Sequence, residues 1–187
     1  DGTTVVNEEL VLFAKWATLP EEQPEQQEIE SNTVLFDLEG HWAKQMIEEF
    51  VSQKLIPGST DGSFRPNEPI QRKHVAAIIT RAMELTPIRD ANVFKDVSLN
   101  NPYFEAISLM QQAGLIDGNN NNFEPNKPMT RAQLAKIIVL LFDIAPGGTS
   151  TFKDVTTKHW SYESILALAD LEIVKGYEGN FWPNNFV

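Results

Sequence analysis

Hydrophobic positions recur with two different periods along this chain. Near the N-terminus Leu10, Leu12, Ala14 and Trp16 fall on one side of an extended segment, with Val11, Phe13 and Lys15 on the other. That period of two predicts a strand, and β-branched Thr3, Thr4, Val5 and Val6 predict another extended piece before it. Sixteen residues cannot make an independent β-domain, because a lone hairpin is marginal in water. From residue 34 onward the period becomes helical. Ile47, Phe50 and Val51, then Ala106, Ile107 and Met110, then Ile165, Leu166 and Ala169 each mark one amphipathic helix. Two wider apolar faces, Val75, Ile78, Ile79, Ala82, Met83 and Leu134, Ile137, Ile138, Leu141, predict more hydrophobic helices at the centre, with the first set packed around them. Residues 17–32 carry neither period. They hold five Glu, three Gln and two Pro with no Lys or Arg, too little apolar surface to offset ordering, and read as a linker.

The helical part repeats itself about every 58 residues. Asp37, Asp96 and Asp154 are 59 and 58 apart, and Pro66, Pro125 and Pro183 follow them with the same spacing. Each unit has an Asp-containing turn, an aromatic at a helix start (Trp42, Tyr103 or Trp160) and a first helix ending around Leu55-Ile56, Leu115-Ile116 or Ile173-Val174. Gly58, Gly118 and Gly176 follow, where a positive φ is expected. A Gly/Asn-rich loop and a Phe-x-Pro-Asn turn lead to the second helix. Val187 aligns with Ile70 and Met129, so the third unit is expected to stop short of its second helix. The organisation is therefore 1–16 as a β remnant, 17–33 as linker, and repeats over 34–91, 92–149 and 150–187, the last incomplete. The fold class is mostly α, a pseudo-threefold bundle of helix–loop–helix repeats. With Asp1 in place of Met and no signal peptide, the chain reads as a piece of a longer protein.

Composition narrows the chemistry. The formal charge is −11, which disfavours a broad nucleic-acid or anionic-membrane surface, and no stretch approaches the roughly 18–20 apolar residues of a membrane span. Eight acids and one Lys lie in residues 1–32, against 18 acids and 14 bases afterwards, so most of the negative charge sits outside the repeats. Cysteine is absent, which removes disulfides, thiolate nucleophiles and Cys-based zinc sites. His41, His74 and His159 have no metal-ligand spacing, and the loop Asp117-Gly118-Asn119-Asn120-Asn121-Asn122 lacks the calcium-loop register and its closing Glu. No nucleophile-elbow, Walker or dinucleotide fingerprint appears, so neither catalysis nor a cofactor is expected.

Specific wording supports a family resemblance. Phe94-Lys95-Asp96-Val97 and Phe152-Lys153-Asp154-Val155, with Leu35-Phe36-Asp37-Leu38 as a looser copy, are joined by His41-Trp42 and His159-Trp160. Asp61-Gly62-Ser63-Phe64-Arg65-Pro66-Asn67, Phe123-Glu124-Pro125-Asn126 and Thr130-Arg131-Ala132-Gln133 complete the set. Residues 34–187 resemble an S-layer homology (SLH) triplet. Asp1-Gly2-Thr3-Thr4-Val5 with Leu10 to Trp16 resembles the tail of a Listeria–Bacteroides β-grasp repeat, with an ordinary strand remnant as the plainer alternative. The SLH resemblance implies noncovalent anchoring of an exported protein, in a Gram-positive bacterium, to a secondary cell-wall polysaccharide. It also implies recognition of pyruvylated N-acetylmannosamine in grooves between repeats.

Several residues could carry such binding. Arg72 and Arg131 fall in the first turn of the second helices, where a cation opposes the helix dipole; an anion shared between guanidinium and free helix N–H groups would relieve that. A solvated Arg, or one paired with Asp37, Asp96 or Asp154, is the alternative. Arg131 is the first choice for the anion contact and Arg72 the second. Thr130 and Gln133 fit a capping box that Gln71 and His74 cannot reproduce. The three Asp residues either cap locally or position Arg and accept sugar hydroxyls. Trp42, Tyr103 and Trp160 either stack on a sugar or anchor the core. Gly58, Gly118 and Gly176 are turn residues that could also admit a ligand close to the backbone. Two other functions remain open: a protein–protein assembly module, self-associating through the incomplete third repeat, and the wall-attachment region of an exported glycan hydrolase.

Overall fold

The computed structural model describes residues 35–59 and 61–187. The β-grasp tail and the acidic linker lie outside the described residues. Five helices follow a short 3-10 turn at Phe36–Leu38: α1 (Lys44–Ser52), α2 (Arg72–Ala82), α3 (Phe104–Gln112), α4 (Arg131–Leu141) and α5 (Tyr162–Asp170). Extended pairing among the described residues is confined to isolated bridges. The fold is mostly α, as the periodicity predicts.

The first helices stop earlier than their apolar pattern suggests. Each ends at a left-handed residue, Lys54, Gly114 or Glu172, with φ of 58°, 75° and 58°. The next N–H turns back across the helix end: Leu55 to the Phe50 carbonyl at 3.0 Å, Leu115 to Met110 at 3.0 Å, Ile173 to Leu168 at 2.9 Å. This is the Schellman closure, which satisfies helix-end carbonyls and folds an apolar residue back onto the helix. The pairs Leu55-Ile56, Leu115-Ile116 and Ile173-Val174 therefore lie beyond the helices.

The expectation that the second helices cluster at the centre needs correction. α2 packs on α3 and α4 on α5, so each second helix leans on the first helix of the following repeat. One core joins Val75 and Ala76 to Ile107, Met110, Phe123 and Ile137; another joins Ala132, Ala135 and Val139 to Ile165, Leu168 and Phe181. α4 thus contributes opposite faces to two cores. The pseudo-threefold axis is marked by backbone instead. The Met129 N–H donates to Ile70, Ile70 to Val187, and Val187 to Met129, at 2.8, 2.8 and 3.0 Å. These three residues are the equivalents that the repeat spacing aligns. Their cyclic pairing satisfies three backbone amides where the equivalent segments of the three repeats meet.

Candidate functional site

The Asp of each repeat clamps its own Phe-x-Pro turn. Asp37 accepts the N–H groups of Phe64 and Arg65 at 2.8 and 2.6 Å; Asp96 accepts Phe123 and Glu124 at 2.8 and 2.6 Å; Asp154 accepts Phe181 and Trp182 at 2.8 and 2.7 Å. The clamped second residue is left-handed each time, with φ of 60°, 59° and 60° at Arg65, Glu124 and Trp182. A residue with a side chain, standing before proline, resists that conformation. The carboxylate supplies two charge-assisted bonds that hold it. At Asp37 partial desolvation pushes the carboxyl up, but the backbone N–H donors outweigh it and hold the group below its ordinary range. These contacts reach 27 and 28 residues along the chain, so they are neither local caps nor partners of Arg72 or Arg131.

The clamp presents a carbonyl to the next arginine. Arg72 of the first repeat donates Nε to the Phe123 carbonyl of the second at 2.8 Å, its guanidinium 4.8 Å from the Phe123 ring centroid. Arg131 donates Nε to the Phe181 carbonyl of the third at 2.9 Å, 4.4 Å from that ring, and a second nitrogen to the Lys175 carbonyl at 3.0 Å. Both arginines are therefore inter-repeat clasps. Their helix N-termini are also occupied. Arg72 and Lys73 donate backbone N–H to Lys127 and Pro125 at 2.9 and 3.0 Å, and Arg131 and Ala132 donate to Asn185 and Pro183, both at 2.9 Å. The expected sharing of an anion with free helix N–H groups is not met at these positions, because the following repeat's turn already accepts them. α4 additionally carries the expected capping box between Thr130 and Gln133, whereas α2 has no side-chain cap.

A cleft of about 510 Å³ opens beside Arg72. Its walls come from all three repeats: Arg72; the loop with Gly118, Asn119, Asn122 and Glu124; Gln133, Lys136 and Ile137 on α4; and Trp160. Its two carboxylates are engaged, Asp117 with Arg89 and Glu124 with Lys127, each at 2.6 Å. Arg72 and Lys136 have no carboxylate partner within ion-pair distance among the described residues. Burial lowers the Arg72 pKa, and the charges of Glu124 and Asp96 pull the other way. Lys136 Nζ lies 5.9 Å from the Trp160 ring centroid, and that ring stacks on His159 at 5.6 Å with 59% of the residue exposed. The cleft thus offers two cations, amide groups and an exposed aromatic ring.

Gly118 and Gly176 are both required by contact, and Gly118 by conformation as well. A Cβ on Gly118 would stand 2.5 Å from the Phe94 ring, and one on Gly176 would stand 2.5 Å from the Asn180 carbonyl. Gly118 has the expected positive φ of 70°, but Gly176 does not adopt it.

Of the residues expected to bind, the cleft unites Arg72, Gly118, Gln133 and Trp160, with the Asp96 clamp holding Glu124 at its edge. Arg131, Asp37, Asp154, Thr130, Trp42, Gly58 and Gly176 lie outside it. Trp42 is 88% exposed and beside His41, so it anchors no core. Tyr103 occupies the position of Ala43 and Ser161 just before its helix, one place later than Trp42 and Trp160. It packs half-buried against His74 and the core instead of opening to solvent. Lys136 escaped the sequence reading. Its only signal is helical spacing, three residues beyond Gln133 on the same side of α4.

Comparison with known proteins bears on this arrangement. The S-layer homology domain model matches residues 37–76, 93–135 and 151–187. The chain belongs to the S-layer homology domain family. This SLH chain is 34% identical over 142 residues to the surface-layer 125 kDa protein of Lysinibacillus sphaericus, covering 74% of the chain and 12% of that protein. It is 30% identical over 151 residues to the S-layer protein sap of Bacillus anthracis, covering 79% and 19%. It is also 28% identical over 151 residues to an amylopullulanase of Thermoanaerobacterium thermosulfurigenes, covering 77% and 8%. The chain spans less than a fifth of each relative. SLH domains are noncatalytic cell-wall anchoring modules, which makes this a cell-surface, wall-associated segment.

Proposed function

We propose that this SLH chain anchors its parent protein by binding an acidic sugar of a secondary cell-wall polysaccharide, with pyruvylated N-acetylmannosamine as the ligand. The carrying observation is the cleft lined by Arg72, Lys136 and the exposed Trp160, in which neither cation has a carboxylate partner within ion-pair distance among the described residues. A ketal carboxylate suits the guanidinium, and the apolar face of a pyranose suits the indole. Relatives named both as surface-layer proteins and as glycan hydrolases share this region, in keeping with an attachment module independent of its cargo.

A second reading has its own observation. Trp42, Met46 and Phe50 are 88%, 57% and 40% exposed at and along α1, an apolar face suited to protein assembly. Calorimetric titration with a synthetic 4,6-pyruvylated N-acetylmannosaminide, beside its non-pyruvylated counterpart, separates the two. Binding that requires the pyruvate supports wall anchoring through an acidic sugar. Equal binding of both sugars removes the anion from the mechanism. A folded chain that binds neither, while light scattering shows mass rising with concentration, replaces anchoring with assembly.

A further inference from the structure

One ion pair at the cleft wall is held from outside the repeat motifs. Asp117 belongs to the loop that lines the cleft, and Arg89 to the segment joining the first and second repeats. Arg89 itself does not line the cleft. Main chain fixes its guanidinium: Nε donates to the Gln111 carbonyl at 2.7 Å, and a terminal nitrogen to the Ile116 carbonyl at 2.9 Å. That same terminal nitrogen takes the Asp117 carboxylate at 2.6 Å. The two side chains are 42% and 65% exposed. An exposed pair of mobile side chains contributes little, but here two carbonyls have already ordered the arginine. Asp117 therefore meets a prepared partner.

The third repeat shows what else lies within reach of this loop position. Arg131, the equivalent of Arg72, donates a terminal nitrogen to the Lys175 carbonyl at 3.0 Å, and Lys175 is the equivalent of Asp117. The Arg72 guanidinium makes no such bond; among the described residues it donates only Nε, to Phe123. A carboxylate at position 117, once released from Arg89, has those open terminal nitrogens as its next partner and would fill the place of a ligand's carboxylate. The two charges also come and go together. Gly147 occupies the position of Arg89 in the third repeat, as Lys175 occupies that of Asp117. Where the loop carries no acid, the joining segment carries no arginine.

We propose that Arg89 is a positioning residue that sequesters the Asp117 carboxylate and so keeps Arg72 open to an anionic ligand. This rests on the anchoring proposal and deepens it with a residue that does not touch the ligand. Without Arg89 the cleft neutralises itself, Asp117 pairing with Arg72. The loss of binding then comes from the freed carboxylate and not from lost packing.

Calorimetric titration of the full chain with the synthetic 4,6-pyruvylated N-acetylmannosaminide, alongside thermal melting, tests this through a double-mutant cycle. Arg89→Gln should weaken binding about tenfold, the size of one charge-assisted hydrogen bond. Arg89→Lys, which keeps a cation for Asp117 but loses the fork to both carbonyls, should lose less. Asp117→Asn added to Arg89→Gln should recover most of the lost affinity, and in the parent it should gain under about threefold. Arg89→Gln and the double variant lose the same carbonyl contacts, so their melting temperatures should fall together. Binding that stays weak in the folded double variant would make Arg89 a structural brace and overturn the proposal, as would an unaffected Arg89→Gln. Loss of binding on Asp117→Asn alone would place that carboxylate on the ligand and overturn it too. In each of these cases a parent chain that binds the sugar leaves wall anchoring standing. A folded parent chain that does not bind would overturn both.

Discussion

α1 and α3 share a repeat position and a closing motif, but they have different surroundings. Ile47 and Ile107 are both buried, at 8% and 1% exposure. One turn further on, Met110 is 1% exposed beneath α2, while Phe50 at the equivalent position is 40% exposed. Leu168 of α5, beneath α4, is fully buried like Met110. No second helix covers α1 in this way among the described residues. Burial at this position is decided by a helix from another repeat, and the cleft obeys the same rule by drawing its cations and indole from three repeats.

Truncating the equivalent side chains should separate the two surroundings most strongly. Met110→Ala and Leu168→Ala should each cost about 2–5 kcal/mol in denaturant melts, because each leaves a cavity under a packed helix. Phe50→Ala should cost less than about 1.5 kcal/mol, despite the larger side chain, because much of the ring already meets water. Similar losses at Phe50 and Met110 would mean that α1 is covered in solution.

A smaller contrast separates the starts of the second helices. Thr130→Ala removes half of a capping box and should cost about 1 kcal/mol. Gln71→Ala should change stability by less than about 0.5 kcal/mol, because the α2 start relies on main-chain acceptors at Lys127 and Pro125. Equal effects would show that the box is redundant with the corresponding acceptors at Pro183 and Asn185.

The smallest effect is a pH dependence at the end of α5. Asp170 accepts the hydroxyl and N–H of Ser150 and the N–H and hydroxyl of Thr149, which holds its carboxyl at about 2, below the ordinary 3.8. α3 ends differently, with the Gln112 carbonyl receiving the Ile88 and Arg89 N–H groups at 2.9 and 3.2 Å. A folded pKa below the unfolded one stabilises fully above pH 3.8, and the benefit disappears as pH falls through about 2. Asp170→Asn should therefore melt below the parent at pH 6, with the gap closing between pH 4 and pH 2. A gap that persists at pH 2 would mean that the tie does not depend on the charge.

Much of the fold was legible because local chemistry repeats with the period. Helical spacing marked five helices, Thr130 and Gln133 announced their box, and the repeat spacing aligned Ile70, Met129 and Val187, whose meeting around the axis appears only in their backbone bonds. The site was less legible. Tyr103 looks like Trp42 and Trp160 in a pattern of aromatics, but a shift of one position at the helix start turns it inward. Arg131 reads more strongly than Arg72 because its flanking signature is complete, yet a carbonyl from Lys175 consumes the nitrogen that Arg72 keeps.

The helices and their repetition were readable in the sequence, because they rest on residue types at short, regular spacings. The sequence also marked Asp37, Asp96 and Asp154 as special without showing what they hold. Tertiary contacts make these three Asp residues clamp a left-handed residue and make Arg72 and Arg131 clasp the following repeat. The tertiary structure also decided that Arg72, Lys136 and Trp160 share one cleft. Those outcomes turn on distances between segments far apart in the chain, where a one-residue shift or one extra carbonyl changes which charged atoms remain open to a ligand.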